Sequence, residues 1–308
     1  MIMVSIVSKN ISGKQYMYLV ESVRKGDKVI QKTIKYIGKK RPIREEEFDC
    51  MKLSYENKDW VLKEFIDTLS YQDYNKMREA SKKYKNHISS LDSISREKER
   101  EIFLSKLIAN TNAIEGSTMT QEETFRYLFE DKTPKGHSRK EIHMAENLLK
   151  ALNYVEQNFK RFPNKIDILE LHKIVNYDIE DDFTLRGYKQ VQNYVGGMYT
   201  SSYLFVEEKM SLLFRWIKKA YRNIDDFEVA FQSHAQFEII HPFVDGNGRV
   251  GRLLLNWLLM YKGLSPLIIR NTLREDYISA LNVARIGELS KISKFCFIEY
   301  MNYYKFVN

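Results

Sequence analysis

Residues His241–Arg252 read HPFVDGNGRVGR and run directly into the apolar stretch Leu253–Met260, LLLNWLLM. Charged groups set against an apolar run cost burial free energy unless they bind something. Upstream, Asp225–Ile240 (DDFEVAFQSHAQFEII) is a helix candidate: Asp225 caps it, Glu228 stands at capping-box spacing, and Pro242 stops it. His241 therefore sits where a helix gives way to a loop. Gly246-Asn247-Gly248 permits backbone conformations in which successive N–H groups converge on an anion. A helix starting near Arg249 aims its free N–H groups at the same spot. Arg249 and Arg252, three apart, share a face and suit phosphate oxygens. Asp245 adds a hard oxygen ligand of the kind a phosphate-bound Mg²⁺ takes, and His241 a base with an ordinary pKa near 6.5. Taken singly, a helix-end histidine reads as a packed cap, a GNG as a turn and paired arginines as solvated. Together, within twelve residues, they describe a site for phosphoryl-type transfer.

The rest of the chain sets the frame. Its 308 residues are 44% hydrophobic and 13% aromatic, with 13 glycines and 5 prolines, which predicts a mainly α-helical globular protein. The formal charge of +8 favours anionic partners, although the 41 acidic residues are well mixed with the 49 basic ones. Two cysteines, Cys50 and Cys296, lack metal-ligand spacing and fit a reduced, cytoplasmic setting. No basic region followed by a long apolar stretch opens the chain, so neither export nor membrane insertion is expected.

Residues 1–42 differ in character from the remainder. MVSIV, QYMYLVESV and KVIQKTIKYIG are β-prone runs, with a turn at Lys25–Lys28, and they read as a small N-terminal antiparallel ribbon. KKRPIREEEF reads as a linker. Residues 43–98 read as a helical extension, helical from 45 to 86 with Trp60, Leu62, Phe65, Ile66 and Leu69 among its apolar positions, and 99–308 as the main helical domain. Further helices are expected at 94–110, 120–130, 138–159, 166–178, 207–222, 226–240, 249–262, 274–285 and 290–304. Within them Leu185–Gly197, LRGYKQVQNYVGG, alternates like a short β-hairpin that must lie against something or wait for a partner strand. His143 and His172 show no partner pattern, His234 reads as helix packing, and Trp60, Trp216 and Trp257 read as core.

HPFVDGNGRVGR is similar to the signature of Fic domains, HPFx[DE]GNGRxxR, at every specified position, and the likeness extends over roughly 100–304. The resemblance implies a Fic-type helical bundle with a β-hairpin flap and a protein adenylyltransferase: AMP passes from ATP to a Ser, Thr or Tyr hydroxyl of a target protein. In that scheme His241 takes the hydroxyl proton and Asp245 holds Mg²⁺ (or Mn²⁺). Gly246, Asn247, Gly248 and Arg249 hold the phosphates, and Arg252 binds the γ-phosphate. Tyr188, Gln190, Val191 and Gln192 resemble the flap that registers the target's backbone as an added strand.

Thr111–Gly116, TNAIEG, resembles the inhibitory motif [ST]xxxE[GN] of autoinhibited Fic proteins with an N-terminal inhibitory helix, expected here near 101–116. It implies that Glu115, with Thr111 and Gly116, forms a bidentate pair with Arg252, excludes a productive γ-phosphate and keeps basal activity low. In some similar proteins the same glutamate supports removal of AMP. Self-modification is expected; the target, the modified residue and the releasing trigger stay open. Two alternatives are kept: another nucleotidyl or phosphoryl-type transfer on the same fold, and a nucleic-acid-binding regulatory protein acting through the lysine-rich ribbon. A homo-oligomer through ribbon edges is a further partner left open.

Overall fold

The computed structural model describes residues 2–25, 28–56, 64–195 and 198–305. Three antiparallel strands open the chain: β1 (Ile2–Ile11), β2 (Lys14–Lys25) and β3 (Lys28–Lys39), in that spatial order. Gly26 and Asp27 of the expected turn lie outside the described residues. β2 is the central strand, and its pairing with β3 shifts register between Leu19 and Val20. Such a bulge breaks the two-residue alternation and turns neighbours to one side. Leu19 and Val20 are accordingly both buried.

Helix α1 spans Glu45–Tyr55. The expected linker is shorter than its composition implied, because Glu45, Glu46 and Glu47 suit a helix N-terminus and begin α1. The continuous helix expected over 45–86 is also interrupted. Described residues 64–70 are irregular and α2 (Tyr71–Ser90) starts afresh, with the Ser70 hydroxyl accepting from the Asp73 N–H. Residues 65–69 are held instead by cross-chain bonds: the Ile66 carbonyl accepts from Gln232 and the Thr68 hydroxyl donates to Glu228. Trp60 and Leu62 lie outside the described residues.

The helical body continues with α3 (Ser93–Ile114), α4 (Gln121–Glu130), α5 (Arg139–Asn158), α6 (Lys165–Val175) and the single turn α7 (Asp182–Leu185). A small hairpin of β4 (Tyr194–Val195) and β5 (Met198–Tyr199) comes next, then α8 (Val206–Ala220), α9 (Asp226–Ile240), α10 (Asn247–Tyr261), α11 (Arg274–Arg285) and α12 (Ser290–Tyr304). This is the mainly helical bundle with a hairpin and an N-terminal ribbon that the sequence predicts. Every residue of α9 from Phe227 to Ile240 is buried, and α10 packs along it. A helix buried on all sides must lodge its polar residues internally. Glu228 shows how: it forms no capping box but accepts from Tyr74, Gln232 and Ser293. Trp216 and Trp257 are core, as expected. The ribbon joins the bundle through a small second core of Val4, Leu19, Met51 and Phe205.

Candidate active site

The site is built where α9 ends and α10 begins. His241 takes a left-handed backbone, φ 51° and ψ 64°, while its N–H bonds the Phe237 carbonyl at 2.8 Å. A non-glycine residue in that region costs on the order of 1 kcal/mol or more, so the surroundings must enforce it. Asn247 does part of this. Its Oδ1 accepts from the Phe243 N–H at 2.8 Å and its Nδ2 donates to the Phe243 carbonyl at 2.9 Å. The buried Phe243 ring stacks on His172 with ring centres 3.8 Å apart. His172 Nε2 and Asn176 Nδ2 donate to the Asp245 carbonyl at 3.1 and 3.4 Å. Gly246 has φ 81°, and a Cβ there would stand 2.5 Å from Asn176 Nδ2.

The first intrahelical bond of α10 runs from Val250 N–H to the Gly246 carbonyl at 3.0 Å. The helix therefore leaves over the N–H groups of Asn247, Gly248 and Arg249 at its positive end. Both arginines are buried rather than solvated. Arg249 turns away, donating to the Val175 carbonyl at 2.9 Å and to Asn176 Oδ1 at 2.8 Å, with Asp245 Oδ2 3.7 Å off. Arg252 Nη2 donates to Glu115 Oε1 at 2.6 Å and to the Thr111 carbonyl at 3.0 Å. The pairing uses one carboxylate oxygen, not the expected fork, because that nitrogen also serves the carbonyl. Glu115 caps α3, and Gly116, at φ 99°, lets the chain leave. A Cβ on Gly248 would lie 2.2 Å from Glu115 Oε1. The Glu115 carboxylate thus rests on the first turn of α10.

Burial, aided by the Lys189 and Arg285 charges, pushes the His241 pKa down to about 3. The imidazole is neutral across the working range instead of titrating near 6.5. Its Nδ1 lies 3.8 Å from Glu238 Oε2, and Nδ1 has no hydrogen-bond partner among the described residues. Burial pushes the Glu238 carboxyl up to about 7 against the opposing pull of Arg252. Burial alone would raise the Asp245 carboxyl, but the Gly246 N–H and the Arg249 guanidinium hold it below its ordinary value, and beside it Glu180 is raised.

The hairpin expected over Leu185–Gly197 starts later and runs past that stretch, with Tyr194–Val195 pairing Met198–Tyr199. Gly196 and Gly197 lie outside the described residues. Tyr188, Gln190, Val191 and Gln192 run into it as irregular chain, since side chains replace ladder bonds there. Lys189, fully buried, donates to Asn193 Oδ1 at 2.8 Å and to Thr200 Oγ1 at 2.6 Å, and its N–H bonds the Pro242 carbonyl at 2.9 Å. Asn193 Nδ2 donates to the Phe243 carbonyl at 2.8 Å. Tyr188 is half-buried against Phe243, Gln192 donates to the Thr200 carbonyl, and Gln190 and Val191 are exposed.

The structure brings together His241, Asp245, Gly246, Asn247, Gly248, Arg249, Arg252, Thr111, Glu115 and Gly116. Sequence reasoning missed the sites of His172, Asn176, Glu180, Lys189, Glu238 and Arg285. Glu238 had a signal, standing three residues before His241 at the end of one helix; the others come from distant segments.

Residues 162–259 match the Fic/DOC family, and residues 4–58 match the N-terminal domain of the IS1634 family transposase. The protein adenylyltransferase fic-1 of Caenorhabditis elegans is 31% identical over 66% of this chain and 41% of its own. The protein adenylyltransferase Fic of Nematostella vectensis is 33% identical over 61% of this chain and 45% of its own. The chain thus spans under half the length of these curated relatives. Among solved structures, residues 134–508 of C. elegans Fic-1 superimpose with a TM-score of 0.66 at 25% identity, covering 76% of this chain and 71% of that one. A Fic-domain signalling protein from Bacteroides thetaiotaomicron shares the fold, with a TM-score of 0.66 at 20% identity, over 75% of this chain and 96% of that one.

Proposed function

We propose, for a chain that carries a Fic/DOC-family domain, that it transfers AMP from ATP to a hydroxyl side chain of a target protein and that Glu115 restrains the reaction. One observation carries this reading: a carboxylate of the chain itself already sits on the open first turn of α10 and on Arg252, so the site binds anions. In the reaction the target's hydroxyl oxygen bonds to the α-phosphorus, pyrophosphate leaves, and the hydroxyl proton passes to the neutral His241 imidazole. The leftover N–H groups of Asn247, Gly248 and Arg249 face the phosphates, and Arg252 takes the terminal one. The side chains of Asn247 and Arg249 shape this cradle by holding Phe243 and α6, so their share in binding runs through the backbone.

A divalent cation fits the residues present. The half-exposed, ionised Asp245 carboxylate with Glu180 beside it is the hard-oxygen set that Mg²⁺ uses alongside phosphate and water. No group of three or more metal-ligating side chains occurs among the described residues. Such an ion would neutralise charge on the phosphates.

Glu115 competes with the terminal phosphate for Arg252, and admitting ATP leaves a half-buried carboxylate beside more negative charge. The test is intact mass after incubation with labelled ATP and a magnesium salt. Glu115→Gly should gain AMP at least about tenfold faster than the wild-type chain, the scale of one lost buried pairing, and His241→Ala should gain none. Equal labelling of all three proteins overturns the reading. A mass increment other than AMP moves the chemistry to another nucleotidyl or phosphoryl-type transfer. Labelled target losing AMP to the wild-type chain would add the reverse activity.

A second reading has its own observation. The match of residues 4–58 to a transposase N-terminal domain favours nucleic-acid contact by the lysine-rich ribbon. Binding of duplex DNA that falls steeply with salt and vanishes on charge reversal along β3 would support it.

A further inference from the structure

We propose that the cleft between β3 and α8 is the docking groove for an acidic segment of the protein target, resting on the reading of the chain as an AMP transferase. A cavity of about 1100 Å³ opens there, lined by residues 32–37 of the ribbon and by 203–209, 211, 212 and 215. Its charge is lopsided. Its only two carboxylates among the lining residues, Glu207 and Glu208, already pair with Lys165 and Lys35. Lys32, Arg186 and Arg215 line the same space, are exposed, and have no carboxylate partner among the described residues. Unpaired cations of one sign, gathered along a cleft, focus potential toward an anionic partner.

The position of the cleft decides the kind of partner. Tyr188 and Gln190 are part of its lining, and a smaller recess that shares Gln190, Ile37 and Tyr203 is lined also by Val191 and Gln192. A target lying across residues 188–192 with its hydroxyl at His241 would extend directly into the groove. Among the described residues β3 is also an edge strand, paired only with β2, and an edge strand can accept an extended chain. Leu169, Leu204 and Leu212 add apolar lining. Apolar surface between cations suits a peptide of mixed acidic and apolar residues better than a nucleic-acid backbone.

The experiment uses the full chain and two fluorescent probes, a glutamate-rich Glu–Tyr copolymer and a lysine-rich Lys–Tyr copolymer, with binding read by anisotropy and AMP transfer by label from ATP in the full-length Glu115→Gly protein, where the restraint is lifted. The acidic copolymer should bind and the basic one should not. Lys32→Glu, Arg186→Glu and Arg215→Glu combined should weaken acidic binding about tenfold, the size expected from three exposed pairs. The corresponding glutamine triple, free of new charge, should fall between. Equal binding of both copolymers, or binding indifferent to the charge reversal, overturns the proposal. So does duplex DNA that binds the groove more tightly than the acidic copolymer and is lost in the same variants. Copolymer binding that tracks the charges while no acceptor, the chain included, takes AMP sinks the transfer reading and leaves the groove an acidic-peptide site. AMP transfer with no preference between copolymers sinks the groove alone.

Discussion

Glycine at 248 and glutamate at 238 show how single positions are constrained by what stands over them. A methyl group on Gly248 would collide with the Glu115 carboxylate at 2.2 Å. The carboxylate is the free end of a flexible side chain and can give way, so Gly248→Ala should lower the melting temperature by only a degree or two, through the disturbed Glu115–Arg252 pair, about 1 kcal/mol or less. Most of that loss should vanish in the Glu115→Gly background, where the clash is gone. Additive losses across that double-mutant cycle would show that Glu115 does not lie there. Glu238 makes a different prediction. His241 is neutral above about pH 3, so it contributes no inflection near neutrality, whereas Glu238 titrates near 7 within 3.8 Å of its Nδ1. The pH profile of AMP transfer in the Glu115→Gly protein should bend near 7, and Glu238→Gln should remove that bend. A bend that persists in the glutamine variant assigns it elsewhere.

The α9–α10 connection works as an element because its loop is tied from three directions. Asn247 pairs with both backbone groups of Phe243, α6 supports the Asp245 carbonyl through His172 and Asn176, and Lys189 holds the 186–193 segment against Pro242. Asn247→Ala would leave the buried N–H of Phe243 unpaired, while its carbonyl still accepts from Asn193, a loss of about 1–3 kcal/mol. We expect denaturant unfolding to register that loss and AMP transfer to fall further than stability alone implies, since His241 loses its placement. Full activity in the alanine variant would show that the loop holds its shape unaided. The strands near 188–199 illustrate why a period-2 pattern is weak guidance here. Alternation places a hairpin over Leu185–Gly197, but the buried Lys189 ammonium draws Asn193 and Thr200 to itself, and among the described residues Tyr194–Val195 pairs with Met198–Tyr199.

Across the whole molecule the buried histidines link stability to pH. His172, His234 and His241 are pushed by burial to about 4, 3 and 3. Each binds its proton more readily unfolded than folded, so the folded state loses ground as pH falls from about 6.5 toward those values. Glu238, raised to about 7, acts oppositely: its contribution is present at low pH and is lost as pH rises from about 4.5 to 7. Three groups outweigh one, and each full unit is worth about 1.4 kcal/mol. The melting temperature should therefore drop between pH 7 and pH 5, and His172→Phe should flatten that dependence, as far as the lost bond to Asp245 allows. A melting temperature constant over that interval contradicts the burial of these rings. Among the described residues no helix is long and apolar enough to cross a membrane.

HPFVDGNGRVGR by itself was enough to place the end of one helix, a glycine turn and the start of the next helix within twelve residues, because caps, glycine turns and helix dipoles act over a few residues. The helix series and the N-terminal ribbon were legible for the same reason, through periods of 3.6 and 2. Long-range packing decided the rest. It turned Arg249 onto α6, gave Asn247 to the Phe243 backbone, lowered His241 and raised Glu238 by burial, and set Glu115, 137 positions before its partner Arg252, on α10. Desolvation and contacts between distant segments depend on which surfaces meet, and no local pattern of residue types encodes that meeting.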